Sequence, residues 1–159
     1  MTWILIGGYL VSIVAANLII AWLGPAASIY TAALFIGLDL TVKDRLQDQW
    51  TQSGLVRRMG TLILAGSVIS WALNRQAGRI ALASFVAFAV SSGLDALVYA
   101  LAKGERWRKV GWSNLAGAIS DSILFPAIAF GWPPDPAIVY GQMVAKLAGG
   151  QFWSLLLIK

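Results

Sequence analysis

The feature that most constrains this chain is a succession of apolar runs long enough to cross a lipid bilayer, three of which contain an ionisable residue. These residues, each with its run, are Asp95 (80–102), Asp121 (110–132) and Lys146 (136–158). An Asp or Lys at the centre of a membrane helix costs about 2.5 to 3.5 kcal/mol on insertion scales, so such groups pair with each other or face a polar cavity. They are the first candidates for a functional site.

The composition is that of an integral membrane protein. Of the 159 residues, 58% are hydrophobic and 12% are charged, and the mean hydropathy is +0.73. The apolar runs follow one another without a polar insertion large enough to fold separately, so we expect residues 1–159 to form a single transmembrane domain. The chain has no Cys and no His, which excludes disulfides, thiol chemistry and the common zinc and haem sites. We expect no cofactor and no metal.

Helix breakers divide the apolar sequence into six spans, and the expected fold class is an all-α, six-transmembrane-helix bundle. Gly24-Pro25 ends the first helix, and the WPPDP stretch at 132–136 forms a short stiff turn between the last two. Residues 3–22 lack the positive start of a secretory signal, so this run is expected to be a retained span. The predicted spans are 3–22, 26–42, 57–74, 79–102, 111–131 and 136–158.

The distribution of Lys and Arg predicts the orientation, because cytoplasmic loops are enriched in both. With a cytoplasmic N-terminus only Arg75 and Arg79 lie outside, and Lys146 is buried. Both termini are then cytoplasmic, and the basic residues act as topology signals rather than as a nucleic-acid surface. The nine basic residues on the inner side are Lys43, Arg45, Arg57, Arg58, Lys103, Arg106, Arg108, Lys109 and Lys159.

Polar side chains in the fifth predicted helix share one face. Asn114 and Asp121 are seven residues apart, which is about two helical turns. An amide offers a donor and an acceptor and a carboxylate offers acceptors, a combination able to recognise the edge of a planar heterocycle. The alternative is that both residues only hold helices together through hydrogen bonds.

The fourth and sixth predicted helices repeat this arrangement. Asp95 follows Ser91 by four residues, and Lys146 follows Gln142 by four. Lys146 has no intramembrane partner other than the aspartates, so we predict that it pairs with Asp121 or Asp95. The pair is either a direct ligand of a solute or a structural ion pair, and the sequence leaves both open.

Two further residues are secondary candidates. Asp39 ends the second predicted span and is either a site residue or a solvated cap, and Asn17 is a strongly polar side chain in the first span. Small residues such as Ala145 and Gly149 recur four apart and indicate ordinary helix packing. The Trp residues fall mostly near span ends, as expected for an interfacial belt.

The catalytic patterns that we considered are missing from the sequence. It contains no Gly-rich nucleotide loop, no Ser nucleophile elbow, no HExxH and no paired-aspartate lipid phosphotransferase motif. We therefore do not expect an enzyme.

Four segments of the chain carry a resemblance to a known family: FIGLDLTVKDRL, RIALASFVAFAVSSGLDALVYAL, SNLAGAISDSILFPAIAF and GQMVAKLAGG. They resemble the VUT family, the queuosine-precursor transporters of bacteria and their phages. The similarity includes the polar positions in order, namely Asp39, Arg79, Asp95, Asn114, Asp121 and Lys146.

The resemblance implies a six-helix importer of the inner membrane, with a fold like that of the substrate-binding components of vitamin ECF transporters. Its implied solutes are 7-cyano-7-deazaguanine and 7-aminomethyl-7-deazaguanine. Two alternatives are a non-transporting membrane interaction module and an importer of another vitamin-like heterocycle. The source of energy, a homo-oligomeric state and a separate energising partner are not determined by the sequence.

Overall fold

The structure, a computed structural model, describes residues 2–38, 42 and 52–157, and the described part is helical with no strand. The second helix passes without interruption into a π-helical turn, and a short 3₁₀ turn precedes the fourth long helix. The elements are α1 (Thr2–Leu23), α2 (Ala27–Thr31), the π turn (Ala32–Ile36), α3 (Gln52–Leu73), the 3₁₀ turn (Arg75–Ala77), α4 (Gly78–Leu101), α5 (Arg106–Ala129) and α6 (Pro136–Leu157).

The helix ends agree with the predicted breaks in most places. α1 ends at Leu23, immediately before Gly24 with its positive φ of 84°, because a left-handed residue ends a helix. α6 begins at Pro136, and Asp135 Oδ1 accepts a hydrogen bond from the backbone N–H of Ala137 at 2.8 Å. This is the expected chemistry of a helix N-terminus.

Two predicted boundaries differ from the structure. α5 begins at Arg106 rather than at 111, and α3 begins at Gln52 rather than at 57. The prediction followed the apolar stretch, whereas both helices include a charged first turn or two. A membrane span is only the apolar part of a helix, and α3 and α5 each extend beyond that part through residues that include basic side chains.

Among the described residues, two segments are long and apolar enough to cross a membrane by themselves, Trp3–Leu23 and Arg75–Leu101, and a shorter apolar helix covers Ala27–Ile36. α5 and α6 contain buried polar groups, and α3 includes Arg57 and Arg58 near its start, which lowers the hydropathy of these helices. The expected count of six spans therefore stays a prediction.

The distribution of side chains is that of a bundle with an apolar outside and polar groups inside. Trp3 and Trp22 are each 82% exposed, whereas Asn17 is 2% exposed and Lys146 is 3% exposed. Contiguous apolar surface of this kind in a soluble monomer would associate. A hydrocarbon environment is the one in which this surface and these buried polar groups are both stable.

Small residues allow the helices to approach closely. Ala83 and Ala87 on α4 are fully buried in a cluster with Phe125 of α5, and α4 packs against α5 over most of its length. Where the second helix meets α6, a Cβ added to Gly37 would lie 2.6 Å from the carbonyl carbon of Gly149. The expectation that Gly149 serves helix packing is confirmed.

Candidate functional site

A cavity of about 110 Å³ lies inside the bundle, and we call it the central cavity. One water needs about 10 to 15 Å³ on the same measure of cavity volume, so the central cavity has room for several waters or a small solute. Its apolar and small lining residues are Tyr9, Ile13, Ala16, Ile20, Ala32, Ile36, Ile63, Phe88, Gly117, Ala118 and Phe125. Its polar lining residues are Asn17, Ser28, Thr31, Ser84, Ser91, Ser92, Asp95, Asn114, Asp121, Gln142 and Lys146.

The ammonium of Lys146 is bound on all three of its hydrogens. Its Nζ donates to Asp121 Oδ2 at 2.5 Å, to Ser122 Oγ at 3.1 Å and to Gln142 Oε1 at 3.2 Å. The predicted pairing of Lys146 is thus confirmed with Asp121 as the partner. An ammonium has three donors and no acceptor, so the protein satisfies Lys146 completely, as a buried charge requires.

A directed chain of hydrogen bonds continues from Lys146 to the start of the second helix. Gln142 Nε2 donates to Ser28 Oγ at 2.8 Å, and Ser28 Oγ donates to the carbonyl of Pro25 at 2.6 Å. Because the Ser28 hydrogen is directed to Pro25, the Ser28 oxygen accepts from the amide of Gln142. This orients the Gln142 carbonyl toward the ammonium of Lys146, and a flipped amide would place two donors against each other.

A second buried polar contact joins α1 to α3. Asn17 Nδ2 donates to Ser70 Oγ at 3.2 Å, and Ser70 Oγ donates to the backbone carbonyl of Gly66 at 2.7 Å. Asn17 also lines the central cavity. Asn17, a secondary candidate from the sequence, therefore holds two helices together and also lines the cavity.

The α4 wall of the cavity carries Ser91, Ser92 and Asp95. Ser91 Oγ donates to the Phe88 carbonyl at 3.1 Å, and Ser92 Oγ is buried with no hydrogen-bond partner. A Cβ built on Gly117 of α5 would lie 3.6 Å from Asp95 Cβ and from the Ser91 carbonyl oxygen. Gly117 is one helical turn from Asp121, so the two carboxylates occupy neighbouring levels of adjacent helices.

The structure brings together most of the predicted site residues. Asn17, Asp95, Asn114, Asp121, Gln142 and Lys146 all line the central cavity. Asn114 is also exposed, so its amide lies where the cavity opens to the surface. The shared face of Asn114 and Asp121 on α5 is confirmed.

Of the two remaining predicted residues, one lies away from the cavity and the other is not described. Arg79 lies outside the central cavity and is exposed, and its Nε donates to the carbonyl of Ile128 in the last turn of α5 at 2.9 Å. This contact satisfies a carbonyl that has no partner within its own helix. Asp39 lies outside the described residues.

Several residues of the site were not found from the sequence. Ser28 is 114 positions from its partner Gln142, and no local pattern links Ser28 to the predicted residues. Ser122 follows Asp121 directly, and its contact with the same ammonium depends on how α6 packs against α5. The aromatic side chains of Tyr9 and Phe88 were indistinguishable in sequence from residues that face lipid.

These features define a helical membrane protein whose bundle encloses a polar, solute-sized cavity with a buried ion pair. A family model described as "Putative vitamin uptake transporter" matches residues 3–158. The chain belongs to this family, the vitamin uptake transporters, which is the VUT family that the sequence resembles. No curated protein and no solved structure matches the chain significantly. Membership of a transporter family implies a small-molecule substrate and favours transport over catalysis.

Proposed function

We propose that the protein imports queuosine precursors, 7-cyano-7-deazaguanine and 7-aminomethyl-7-deazaguanine, across the bacterial inner membrane. The observation that carries this proposal is the central cavity, where carboxylate and amide groups converge within apolar walls. A deazaguanine presents an exocyclic amine, ring N–H groups and a carbonyl along the edge of one plane. Recognition of that edge requires both acceptors and donors in a desolvated pocket.

The lining residues divide into groups that contact the solute and groups that hold them in place. Asp121 uses one carboxylate oxygen for Lys146, and its second oxygen accepts from the N–H edge of the solute. Asn114, at the opening, supplies a donor and an acceptor. Phe88 and Phe125 provide apolar contact for the flat ring.

Transport follows if the cavity is exposed to one side of the membrane and then to the other. We place both termini in the cytoplasm, with the loop that contains Arg75 outside. Three energy sources fit the chain: a proton, a separate ATPase, or downhill uptake followed by metabolic trapping.

The second candidate is import of another vitamin-like heterocycle. The family match favours it over a non-transporting module, because the family description specifies vitamin uptake without a particular vitamin. A polar edge joined to a flat ring is common to many such compounds, and the same cavity chemistry applies to them.

The experiment is solute uptake into proteoliposomes that contain the full chain. We expect radiolabelled deazaguanines to accumulate above protein-free liposomes, and unlabelled deazaguanine to compete while biotin and riboflavin do not. Asp121→Asn abolishes uptake. The matched control is Asp135→Asn, because Asp135 caps α6 outside the cavity and Asn preserves a cap. Competition by one of the vitamins instead of deazaguanine would establish the second candidate.

A further inference from the structure

Three hydroxyl groups of the central cavity direct their hydrogens to backbone carbonyls. Ser28 donates to the Pro25 carbonyl at 2.6 Å, and Thr31 donates to the Ser28 carbonyl at 3.2 Å. Ser91 donates to the Phe88 carbonyl at 3.1 Å. A hydroxyl has one hydrogen and two lone pairs. These three side chains therefore offer acceptors, and no donor, to a solute in the cavity.

The Ser92 hydroxyl keeps its hydrogen. Ser92 lines the cavity, and within the described residues its buried Oγ has no hydrogen-bond partner. A helical serine commonly donates to a carbonyl three or four residues earlier, which for Ser92 includes Phe88. That carbonyl already accepts from the Ser91 hydroxyl, and the regular bonding of α4 gives it the backbone N–H of Ser92 as well. Both of its lone pairs are used, so Ser92 retains a donor for the cavity.

A buried hydroxyl without a partner is unfavourable for the free protein. A hydrogen bond to a bound solute recovers the free energy that the unsatisfied group costs. The strongest donor on the opposite wall is already used, because Asp121, Ser122 and Gln142 accept the three hydrogens of Lys146. A solute with an acceptor therefore gains at Ser92 a hydrogen bond that Lys146 does not offer.

The Ser91–Ser92 pair lies beside α5, close to the level of Gly117. A Cβ built on Gly117 would lie 3.6 Å from the Ser91 carbonyl oxygen. Gly117 is four residues before Asp121, which is about 6 Å along the helix. The serine pair and Asp121 thus line the same cavity from adjacent helices at neighbouring levels, so one flat solute can contact both.

From this arrangement we infer that Ser91 and Ser92 bind a lactam edge, which is a ring carbonyl next to a ring N–H. The Ser92 hydroxyl donates to the carbonyl oxygen. The Ser91 oxygen, whose own hydrogen is bound to Phe88, accepts from the N–H. The ligand class is a flat ring that contains a cyclic amide. The inference rests on the proposed function for the identity of that ring, since a deazaguanine has a lactam edge and its exocyclic amine is then left for Asp121.

The test is the melting temperature of the purified full chain in detergent, titrated with the two deazaguanines, 2-pyridone and benzene. The deazaguanines contain the lactam edge, 2-pyridone is a lactam of one ring, and benzene is a flat ring without a polar atom. Ser92→Ala weakens binding of the three lactams by about 3- to 10-fold, the size of one neutral hydrogen bond. It leaves benzene binding unchanged or tighter. The melting temperature of the free Ser92→Ala protein is unchanged or higher, because no protein hydrogen bond is lost.

Ser67→Ala is the matched control. In the described part of the chain the Ser67 Oγ is also buried without a hydrogen-bond partner, but Ser67 belongs to α3 and is not a lining residue of the cavity. Ser67→Ala also leaves the free protein at least as stable, and it keeps lactam binding at the wild-type level. A second variant, Ser91→Ala, removes the acceptor and frees the Phe88 carbonyl for the Ser92 hydroxyl. Its loss of lactam binding is at least as large as that of Ser92→Ala.

Each outcome decides between the inference and the proposed function. If the deazaguanines bind wild-type protein and Ser92→Ala equally well, the inference is overturned and the proposed function stands. An equal loss of lactam binding in Ser67→Ala also overturns the inference, because the effect is then one of packing. If neither deazaguanine binds, but 2-pyridone does and Ser92→Ala weakens it while Ser67→Ala does not, the inference stands and the proposed function fails. If no probe stabilises the protein, both are overturned.

Discussion

Removal of the Lys146 ammonium tests whether the buried ion pair is a constraint on the fold. In Lys146→Met the side chain keeps much of its length, but the carboxylate of Asp121 loses its charged partner, and Ser122 and Gln142 lose a donor. Breaking a buried pair from one side costs about 3 to 5 kcal/mol. Because the Asp121 side chain is 22% exposed and can reach cavity water, we expect the lower end.

A loss of about 3 kcal/mol corresponds to a fall of roughly 6 to 12 °C in melting temperature for a chain of this size. The assay is thermal unfolding in detergent, with Lys103→Met as the control, because Lys103 is exposed and surface changes are worth about 0.5 kcal/mol or less.

The double variant Lys146→Met/Asp121→Asn removes both charges, so it recovers a large part of the loss. A melting temperature of Lys146→Met within about 2 °C of that of the Lys103→Met control would refute the reasoning. So would a double variant that is less stable than Lys146→Met.

Three further measurements test the packing and the topology. Gly149→Ala lowers the melting temperature, because the added Cβ would overlap the carbonyl oxygen of Ala33. The control Gly93→Ala has open space around the added Cβ, so it leaves stability unchanged or raises it by up to about 1 kcal/mol. Equal changes in melting temperature for the two variants would contradict the close contact at Gly149. Asn17→Ala loses the bond to Ser70 and costs about 0.6 kcal/mol, the mean for a hydrogen bond between membrane helices, measured as a small shift in denaturant midpoint; a loss above about 2 kcal/mol would show a larger role. The chain has no native Cys, so the variants Gln76→Cys and Lys103→Cys can report topology. A membrane-impermeant maleimide labels Gln76→Cys in intact spheroplasts and labels Lys103→Cys only after lysis. Labelling of both or of neither in intact spheroplasts would contradict the orientation.

Much of the helical organisation was predictable because it depends on local sequence. Gly24 and Pro25 interrupt the first apolar stretch, and the Pro-rich turn before Pro136 separates the last two helices. These signals act within a few residues, so they can be recognised without a fold. The π turn at Ala32–Ile36 was not predictable in this way, since nothing in its apolar sequence distinguishes five residues of π-helix from α-helix.

The buried ion pair of the site was predictable, because burying an unpaired charge is energetically unfavourable in any fold. Lys146 needed an acidic partner, and only two aspartates were available at membrane depth, so the choice was narrow before the structure. The identity of the partner depends on the rotation of α5 relative to α6, which is set by contacts over the whole length of both helices. For the same reason, the family resemblance that suggested Arg79 as a site residue could not show that Arg79 lies outside the cavity.

The polar groups of the cavity are divided between two tasks. On the α6 side, Lys146 donates to Gln142 and to Asp121, and Gln142 donates to Ser28 at the start of the second helix. This wall therefore has few hydrogen-bond donors left for a solute. On the α4 side, Ser92 has no partner and Ser91 presents lone pairs. Discrimination between solutes must therefore come mainly from the α4 wall and the second oxygen of Asp121. Substitutions in α4 should change which solute binds, and substitutions in α6 should change whether the site holds its shape.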